Sequence, residues 1–116
     1  MEPILDKEIL QKNIDRYALK NIYLHLETTN GAYASHHNEK FFSASAYIRN
    51  AEIKYEHGKI TGSGPYRVGL KLEKLGWVYA EGLTHFEANN NQLLLAGHGS
   101  DGKLGVALQL SQTPFQ

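Results

Sequence analysis

Hydrophobic positions follow a helical period only near the start of the chain. Leu10, Ile14 and Tyr17 recur at i, i+4 and i+7, and Ile9 widens the stripe that they form. This spacing predicts one helix at about Ile4 to Arg16. Its apolar stripe needs a surface to cover, and the rest of the chain reads as sheet.

From Asn21 onward the period changes to two, which is typical of a half-buried strand. Apolar residues are expected on the buried face and polar ones on the other: Ile22, Leu24 and Leu26 against Tyr23, His25 and Glu27. Asn30-Gly31 follows directly, and this dipeptide favours a two-residue hairpin turn. We therefore expect Ala32–Ser35 to return antiparallel to the first strand.

Further alternating segments continue to the C-terminus. They are predicted at Phe41–Tyr55, Ile60–Leu72, Trp77–Phe86, Leu93–His98 and Leu104–Leu110. A phase slip near Arg49-Asn50 predicts a β-bulge or a sharp bend. Turns are expected at His57-Gly58, Leu75-Gly76 and Asp101-Gly102. The pattern predicts one domain, residues 1–116, of all-β class: mostly antiparallel, bent and coiled sheets, barrel- or sandwich-like, with one short N-terminal helix.

Composition removes several classes of function. The 116 residues contain 12 basic and 12 acidic side chains, so the formal net charge is zero. Such a balance argues against a general binder of nucleic acid or of an anionic membrane. The absence of cysteine excludes disulfides and thiolate catalysis. With no signal peptide and no membrane-spanning run, we expect a soluble, cytoplasmic protein.

Two histidine–carboxylate pairs are the first candidate for chemistry. His25-x-Glu27 and His85-x-Glu87 each place an imidazole and a carboxylate on one face of a strand. If the two strands are neighbours, a two-histidine site for a divalent metal such as zinc could form. The alternative is that both pairs lie on solvated strand faces, in which case no cofactor is expected.

A tyrosine-rich face is the second candidate. Tyr23, Tyr33 and Tyr47 fall on the parity opposite the small and aliphatic residues of their strands, and Arg49 shares a face with Tyr47. Tyrosines beside an arginine are typical of a ligand groove or an oligomer interface. The alternative is a second packed face of a coiled sheet, covered in part by the helix.

The last predicted strand bears on assembly. Leu104–Leu110 would lie at a sheet edge, and Lys103 is the only ionic residue from Gly102 to the C-terminus. Edge strands are normally protected by charge, proline or a covering element. We therefore expect either the N-terminal helix or a second subunit, as a symmetric homodimer, to cover this edge.

Three segments of the chain resemble the YojF family of small bacterial proteins. They are Phe41–Asn50, with the sequence FFSASAYIRN, Gly62–Leu70, with GSGPYRVGL, and Gly76–Leu83, with GWVYAEGL. The resemblance covers essentially the whole chain and implies an all-β fold of bent, coiled sheets. It carries no established activity and no catalytic motif.

The family also implies a partner. Its members tend to be encoded beside a deacetylase of bacillithiol synthesis, which suggests an accessory role near low-molecular-weight thiol metabolism. Because the chain lacks cysteine, a link to thiols would operate by binding. The function expected is thus a non-enzymatic protein that binds a small polar ligand or a partner protein, with a metal-dependent enzyme as the alternative.

Overall fold

The computed structural model describes residues 1–29, 45–98 and 104–116. In these ranges the chain forms one helix and nine strands. Their order is β1 (Glu2–Pro3), α1 (Lys7–Arg16), β2 (Ile22–Thr29), β3 (Ser45–Ile53), β4 (Tyr55–Gly62), β5 (Tyr66–Leu72), β6 (Gly76–Leu83), β7 (His85–Ala88), β8 (Gln92–His98) and β9 (Leu104–Ser111). The prediction of an all-β fold with one short helix is confirmed.

The strands form two antiparallel sheets that are not closed into a barrel. Among the described strands, the larger sheet has the order β1-β7-β8-β9-β2-β3 and the smaller has β4-β5-β6. The chain passes from the larger sheet to the smaller one at Lys54 and returns at Thr84. Residues from both sheets and from α1 form one hydrophobic cluster, which includes Leu10, Ile14, Leu24, Tyr55, Leu70, Leu83, Leu95 and Leu108.

Helix α1 starts at Lys7 rather than near Ile4. The first residues pair with β7 as a short strand, and the Asp6 side chain then caps the helix by accepting a 2.9 Å hydrogen bond from the backbone N of Glu8. The predicted stripe of Leu10, Ile14 and Tyr17 is fully buried, but Ile9 is 49% exposed and does not belong to it. No helix within the described ranges is long and apolar enough to cross a membrane.

Strand β2 follows the predicted alternation and β3 contains the predicted bulge. Ile22 and Leu24 are buried in the core, and Leu26 packs partly against it. Ala51 pairs with Leu24 and Arg49 with His25, which leaves Asn50 as the extra residue at φ +57°. The Asn30-Gly31 turn and the return at Ala32–Ser35 lie outside the described residues.

Two predictions around β4 and β5 are wrong. His57-Gly58 is not a turn, because β4 continues through it and Gly58 lies beneath the helix. A Cβ on Gly58 would stand 2.5 Å from Ile14 Cγ2, so the glycine serves close helix packing. Ile60–Leu72 is not one strand, because the chain turns at Ser63–Pro65 and β5 returns along β4.

The predicted strand Trp77–Phe86 is also two strands. It breaks at Thr84, so that β6 belongs to the smaller sheet and β7 to the larger one. Thr84 is held there by backbone hydrogen bonds to Ala96 at 2.9 Å and from Ile4 at 2.8 Å. Just before this break Tyr66 pairs with Leu83 and Arg67 with Glu81, which leaves Gly82, at φ +83°, as the extra residue of a bulge.

Strand β9 is not an edge strand. It pairs with β8 on one side and with β2 on the other, so the premise of the homodimer prediction is wrong. Helix α1 instead lies along β4. A homodimer remains a prediction, which light scattering over a range of protein concentrations would test.

Candidate functional site

The larger sheet has an outer face, away from the core, that carries most of the residues predicted for function. Tyr23, His25 and Glu27 alternate along β2 on this face. His25 pairs with Arg49 on β3, and Glu27 pairs with Tyr47. Four of these five side chains therefore form two adjoining cross-strand pairs. Tyr33 lies outside the described residues.

His25 is buried on this face, so the alternative of a solvated strand face does not hold for it. It is 5% exposed, and its ring meets the Tyr47 ring edge-on at 5.2 Å between centroids. Arg49 Nη1 lies 3.2 Å from His25 Nδ1, while His25 Nε2 lies 3.5 Å from Glu27 Oε1. Because a guanidinium only donates, Nδ1 must accept and the imidazole proton resides on Nε2, facing Glu27.

Burial also sets the charge state of His25. Desolvation lowers the pKa of this imidazole, the nearby Arg49 guanidinium lowers it further, and Glu27 partly opposes both effects. A neutral imidazole with both nitrogens engaged offers no free lone pair to a substrate proton or to a metal. In this arrangement His25 supports the surrounding structure.

The C-terminal tail explains the burial of His25. Arg49 Nη2 donates to the backbone O of Gln116 at 2.5 Å, and its guanidinium lies 5.0 Å from the centroid of the Phe115 ring. Asn50 and the Phe115 backbone exchange two hydrogen bonds of 2.7 and 2.8 Å. The bulge on β3 thus anchors the C-terminal tail. The Arg49 guanidinium binds the tail and is therefore not free to bind a ligand.

The four predicted metal ligands do not come together. His85 and Glu87 lie on β7, and β8 and β9 separate that strand from β2. Since neighbouring strands are about 4.8 Å apart, the two pairs are separated by roughly 14 Å. No group of three potential metal-binding side chains occurs in the described part of the chain.

His85 and Glu87 make other contacts. Thr84 Oγ1 lies 2.7 Å from His85 Nδ1, and the His98 ring meets the His85 ring edge-on at 5.1 Å. The Glu87 carboxylate lies 3.8 Å from the N-terminal ammonium of Met1. Of the β7 pair, Glu87 thus lies beside the N-terminus, whereas His85 contacts Thr84 and His98.

The smaller sheet has an outward face that the sequence did not single out. Its alternate residues point away from the core and form three cross-strand rows. The rows are His57, Lys71 and Trp77; then Lys59, Gly69 and Tyr79; then Thr61, Arg67 and Glu81. We call these nine residues the open face. Its aromatic residues all lie on β6, and its lysines and arginine lie on β4 and β5.

Two exposed aromatic side chains dominate the open face. Trp77 is 48% exposed and Tyr79 is 52% exposed, and their rings are stacked at 5.5 Å between centroids with 8° between their planes. The Arg67 guanidinium lies 5.4 Å from the Tyr79 centroid, and it is ion-paired with Glu81. These contacts hold the two rings and the cation in one ordered group and leave each ring about half exposed.

Gly69 makes this arrangement possible. A Cβ at Gly69 would stand 2.8 Å from Tyr79 Cε1 and 3.7 Å from Trp77 Cε3. Both rings therefore lean over the neighbouring strand at the one position that carries no side chain. Next to this group, a cleft of about 290 Å³ is lined by Thr61, Gly62, Pro65, Tyr66, Arg67, Glu81 and Gly82.

Part of this site was readable in the sequence. The alternation Trp77-x-Tyr79 places two aromatic rings on one face of a strand, and Arg67-x-Gly69-x-Lys71 has the same parity. What the sequence does not reveal is the register that sets Gly69 opposite Tyr79. Without that register, the two aromatic residues could be assigned equally well to the hydrophobic core or to an exposed face.

The fold and the open face together define a small two-sheet β protein with an exposed aromatic surface. The chain belongs to the family described as "Protein of unknown function (DUF1806)", whose model matches residues 3–115. It is 54% identical over 110 residues to "Uncharacterized protein YojF" of Bacillus subtilis (strain 168), with 94% of each chain covered.

A solved structure supports the same conclusion about the fold. The crystal structure of the Bacillus subtilis YojF protein superposes with a TM-score of 0.76 at 45% identity. The match covers 96% of this chain and 94% of that one. The resemblance noted in the sequence is therefore confirmed.

Proposed function

We propose that the protein is a non-enzymatic accessory protein that binds its ligand or partner through the open face. The observation that carries this proposal is the exposed, ordered group of Trp77, Tyr79 and Arg67. These are the three residue types most enriched among residues that dominate binding energy. Rings held in place before binding lose little conformational entropy when a ligand arrives.

The open face supports this role better than the tyrosine-rich face does. On the larger sheet Arg49 holds the C-terminal tail and His25 is buried. Because Tyr47 is 61% exposed, the tyrosine-rich face is the alternative binding site. On the open face both aromatic rings are accessible.

The size of the open face favours a small or narrow ligand. Three strands span about 10 Å, and a seven-residue strand is roughly 23 Å long, which gives an area on the order of 250 Å². A stable protein–protein interface buries about 800 Å² on each partner. A partner protein would therefore need contacts beyond the open face, for instance at Leu75, which is 86% exposed in the adjoining turn.

The proposed link to bacillithiol metabolism rests on the family resemblance. A deacetylase of that pathway is the partner to test first, because members of the family tend to be encoded beside one. The absence of cysteine limits the role of this chain to binding rather than thiol exchange.

The experiment compares three immobilised proteins: the wild type, the double variant Trp77→Ala/Tyr79→Ala, and Tyr47→Ala. Each is exposed to a small-molecule extract, and separately to the purified deacetylase, and retained species are identified by mass spectrometry. We expect a species that wild type and Tyr47→Ala retain and the double variant loses. Equal retention by all three proteins, or loss only with Tyr47→Ala, would show that the open face is not the binding surface.

A further inference from the structure

We propose that the open face binds a short segment of single-stranded nucleic acid. Its bases would stack on Trp77 and Tyr79, and its phosphates would lie beside Lys59 and Lys71. This inference rests on the proposed function, because it assigns an occupant to the same surface.

Stacking is the first argument. Base–aromatic stacking needs exposed, ordered rings on a flat support, and every base offers a π face to it. Trp77 and Tyr79 provide two such rings on one strand. They stack on each other and each remains about half exposed, so a base would extend a stack that already exists. Single-stranded nucleic acid is commonly bound by aromatic residues on the face of a small β-sheet.

The distribution of charge is the second argument. The open face carries three permanent cations, Lys59, Arg67 and Lys71, and one carboxylate, Glu81. Beside it, Glu56 pairs with Lys71 Nζ at 2.8 Å, whereas Lys59 has no acidic partner among the described residues. Because Glu81 pairs with Arg67 and Glu56 with Lys71, the three cations and two carboxylates leave one positive charge in excess, at Lys59, although the net charge of the whole chain is zero.

The arrangement of these groups fits a strand better than a point-like anion. The aromatic rings follow β6, and Lys71 and Lys59 lie one and two strands away from them. A nucleotide chain running along β6 could place its bases on the rings and its phosphates toward the cations. The zero net charge of the chain argues against a general nucleic-acid binder. It is a sum over the whole molecule, however, and does not describe how charges are placed on the open face.

Few phosphate contacts imply a weak dependence on salt. Each phosphate neutralised on a single strand contributes about −0.7 to the slope of log K against log salt concentration. With at most three cations available, the slope should be no steeper than about −2. Binding would therefore be dominated by stacking.

The test uses the protein's own fluorescence. Trp77 is the only tryptophan in the chain, so its emission reports directly on the open face. Full-length protein is titrated with an octamer of deoxythymidine. We expect saturable quenching and a shallow salt dependence. Tyr79→Ala should weaken binding by at least about fivefold, the lower end of the range for one stacked base.

Two further variants complete the design. Lys59→Glu reverses the charge of the cation without an acidic partner, and it should weaken binding while leaving Trp77 and Tyr79 in place. Tyr47→Ala alters an exposed aromatic residue of the larger sheet and should bind as the wild type does. Circular dichroism confirms that each variant is folded.

Parallel titrations with inorganic polyphosphate and with a neutral oligosaccharide decide the occupant. No quenching by the octamer, or equal binding of polyphosphate, would overturn the inference. Binding of the oligosaccharide or of the deacetylase at the open face, without the octamer, would overturn it and leave the proposed function standing. If the open-face variants also change nothing in the retention experiment, the proposed function fails as well.

Discussion

Two buried tyrosines illustrate how differently one polar atom can be accommodated. The Tyr55 hydroxyl donates a hydrogen bond to the backbone O of Ile14, near the end of α1. The Tyr17 hydroxyl is buried and has no hydrogen-bond partner among the described residues. Burial raises the pKa of both groups.

We expect the two phenylalanine substitutions to have opposite consequences. Tyr55→Phe removes a satisfied hydroxyl and should lower the free energy of unfolding by about 0.5–1.5 kcal/mol. Tyr17→Phe removes an unsatisfied one, so it should leave stability unchanged or raise it by up to about 1 kcal/mol. Urea unfolding of both variants measures the difference. A Tyr17→Phe variant as destabilised as Tyr55→Phe would mean that the Tyr17 hydroxyl does have a partner.

His25 makes stability depend on pH. Its pKa in the folded protein is lowered, chiefly by burial, while in the unfolded chain it returns to about 6.5. Below that value the unfolded state binds more protons than the folded state, so stability falls as the pH decreases through the folded pKa. Above about pH 7 the same group contributes no pH dependence.

The variant His25→Gln tests this statement. The substitution removes the titrating group. Wild-type protein should lose stability between about pH 6.5 and the lower pKa of folded His25, and the variant should lack the part of this loss that is due to His25. Thermal unfolding across this pH range gives the profile. His57→Gln, which changes an exposed histidine, is the comparison variant. If both variants behave alike, His25 is not the source of the effect.

At the scale of elements, helix α1 closes an edge of the smaller sheet. The side-chain amide of Gln11 donates to the backbone O of Gly58 at 2.8 Å and accepts from the backbone N of Ile60 at 3.0 Å. Lys7 Nζ donates to the backbone O of Gly62 at 3.0 Å. These bonds replace those that a further strand would make, and they protect the edge of β4.

Gln11→Ala should therefore cost more than an exposed amide substitution on the same helix. It leaves one carbonyl and one N–H of β4 without their partner in a half-buried site, and we expect a loss of about 1–3 kcal/mol. Asn13→Ala is the matched control, because the one bond of its amide to the described residues is to the Ile9 carbonyl at the surface. Chemical denaturation compares the two variants. Equal effects would show that the Gln11 bridge contributes little.

The elements also show where sequence reasoning succeeds and where it stops. Alternation predicted β2, and the slip of phase predicted the bulge at Asn50, because both follow from a local two-residue period. The turn at His57-Gly58 was predicted wrongly, since Gly58 is required by a contact with Ile14 that lies 44 positions away. Local pattern contains no information about such a contact.

The same limit applies to the candidate sites. The parity of His25 and Glu27 was predicted correctly, but the burial of His25 depends on the tail that Arg49 holds. That hydrogen bond joins residues 67 positions apart. The aromatic residues of the open face were visible in the sequence, whereas their exposure depends on which face of the smaller sheet meets the core.

At the scale of the whole molecule, the two sheets share one core. Strand β6 packs across β8 and β9, and there two glycines bring the backbones together. A Cβ on Gly97 would stand 1.9 Å from the backbone O of Gly82, a contact that side-chain rearrangement cannot relieve. The approach of one sheet to the other therefore requires glycine at this position.

A shared core predicts that both sheets unfold together as a single domain. Trp77 fluorescence reports on the smaller sheet, and hydrogen exchange of the Leu108 amide reports on the larger one. The two probes should give the same free energy of unfolding.

Gly97→Ala should lower both values equally, by more than about 2 kcal/mol, because the sheets must separate. Gly105→Ala is the control, since its Cβ would meet its nearest neighbour at an ordinary 3.6 Å. A Trp77 transition at lower denaturant concentration than the loss of Leu108 protection would instead mean that the smaller sheet opens on its own.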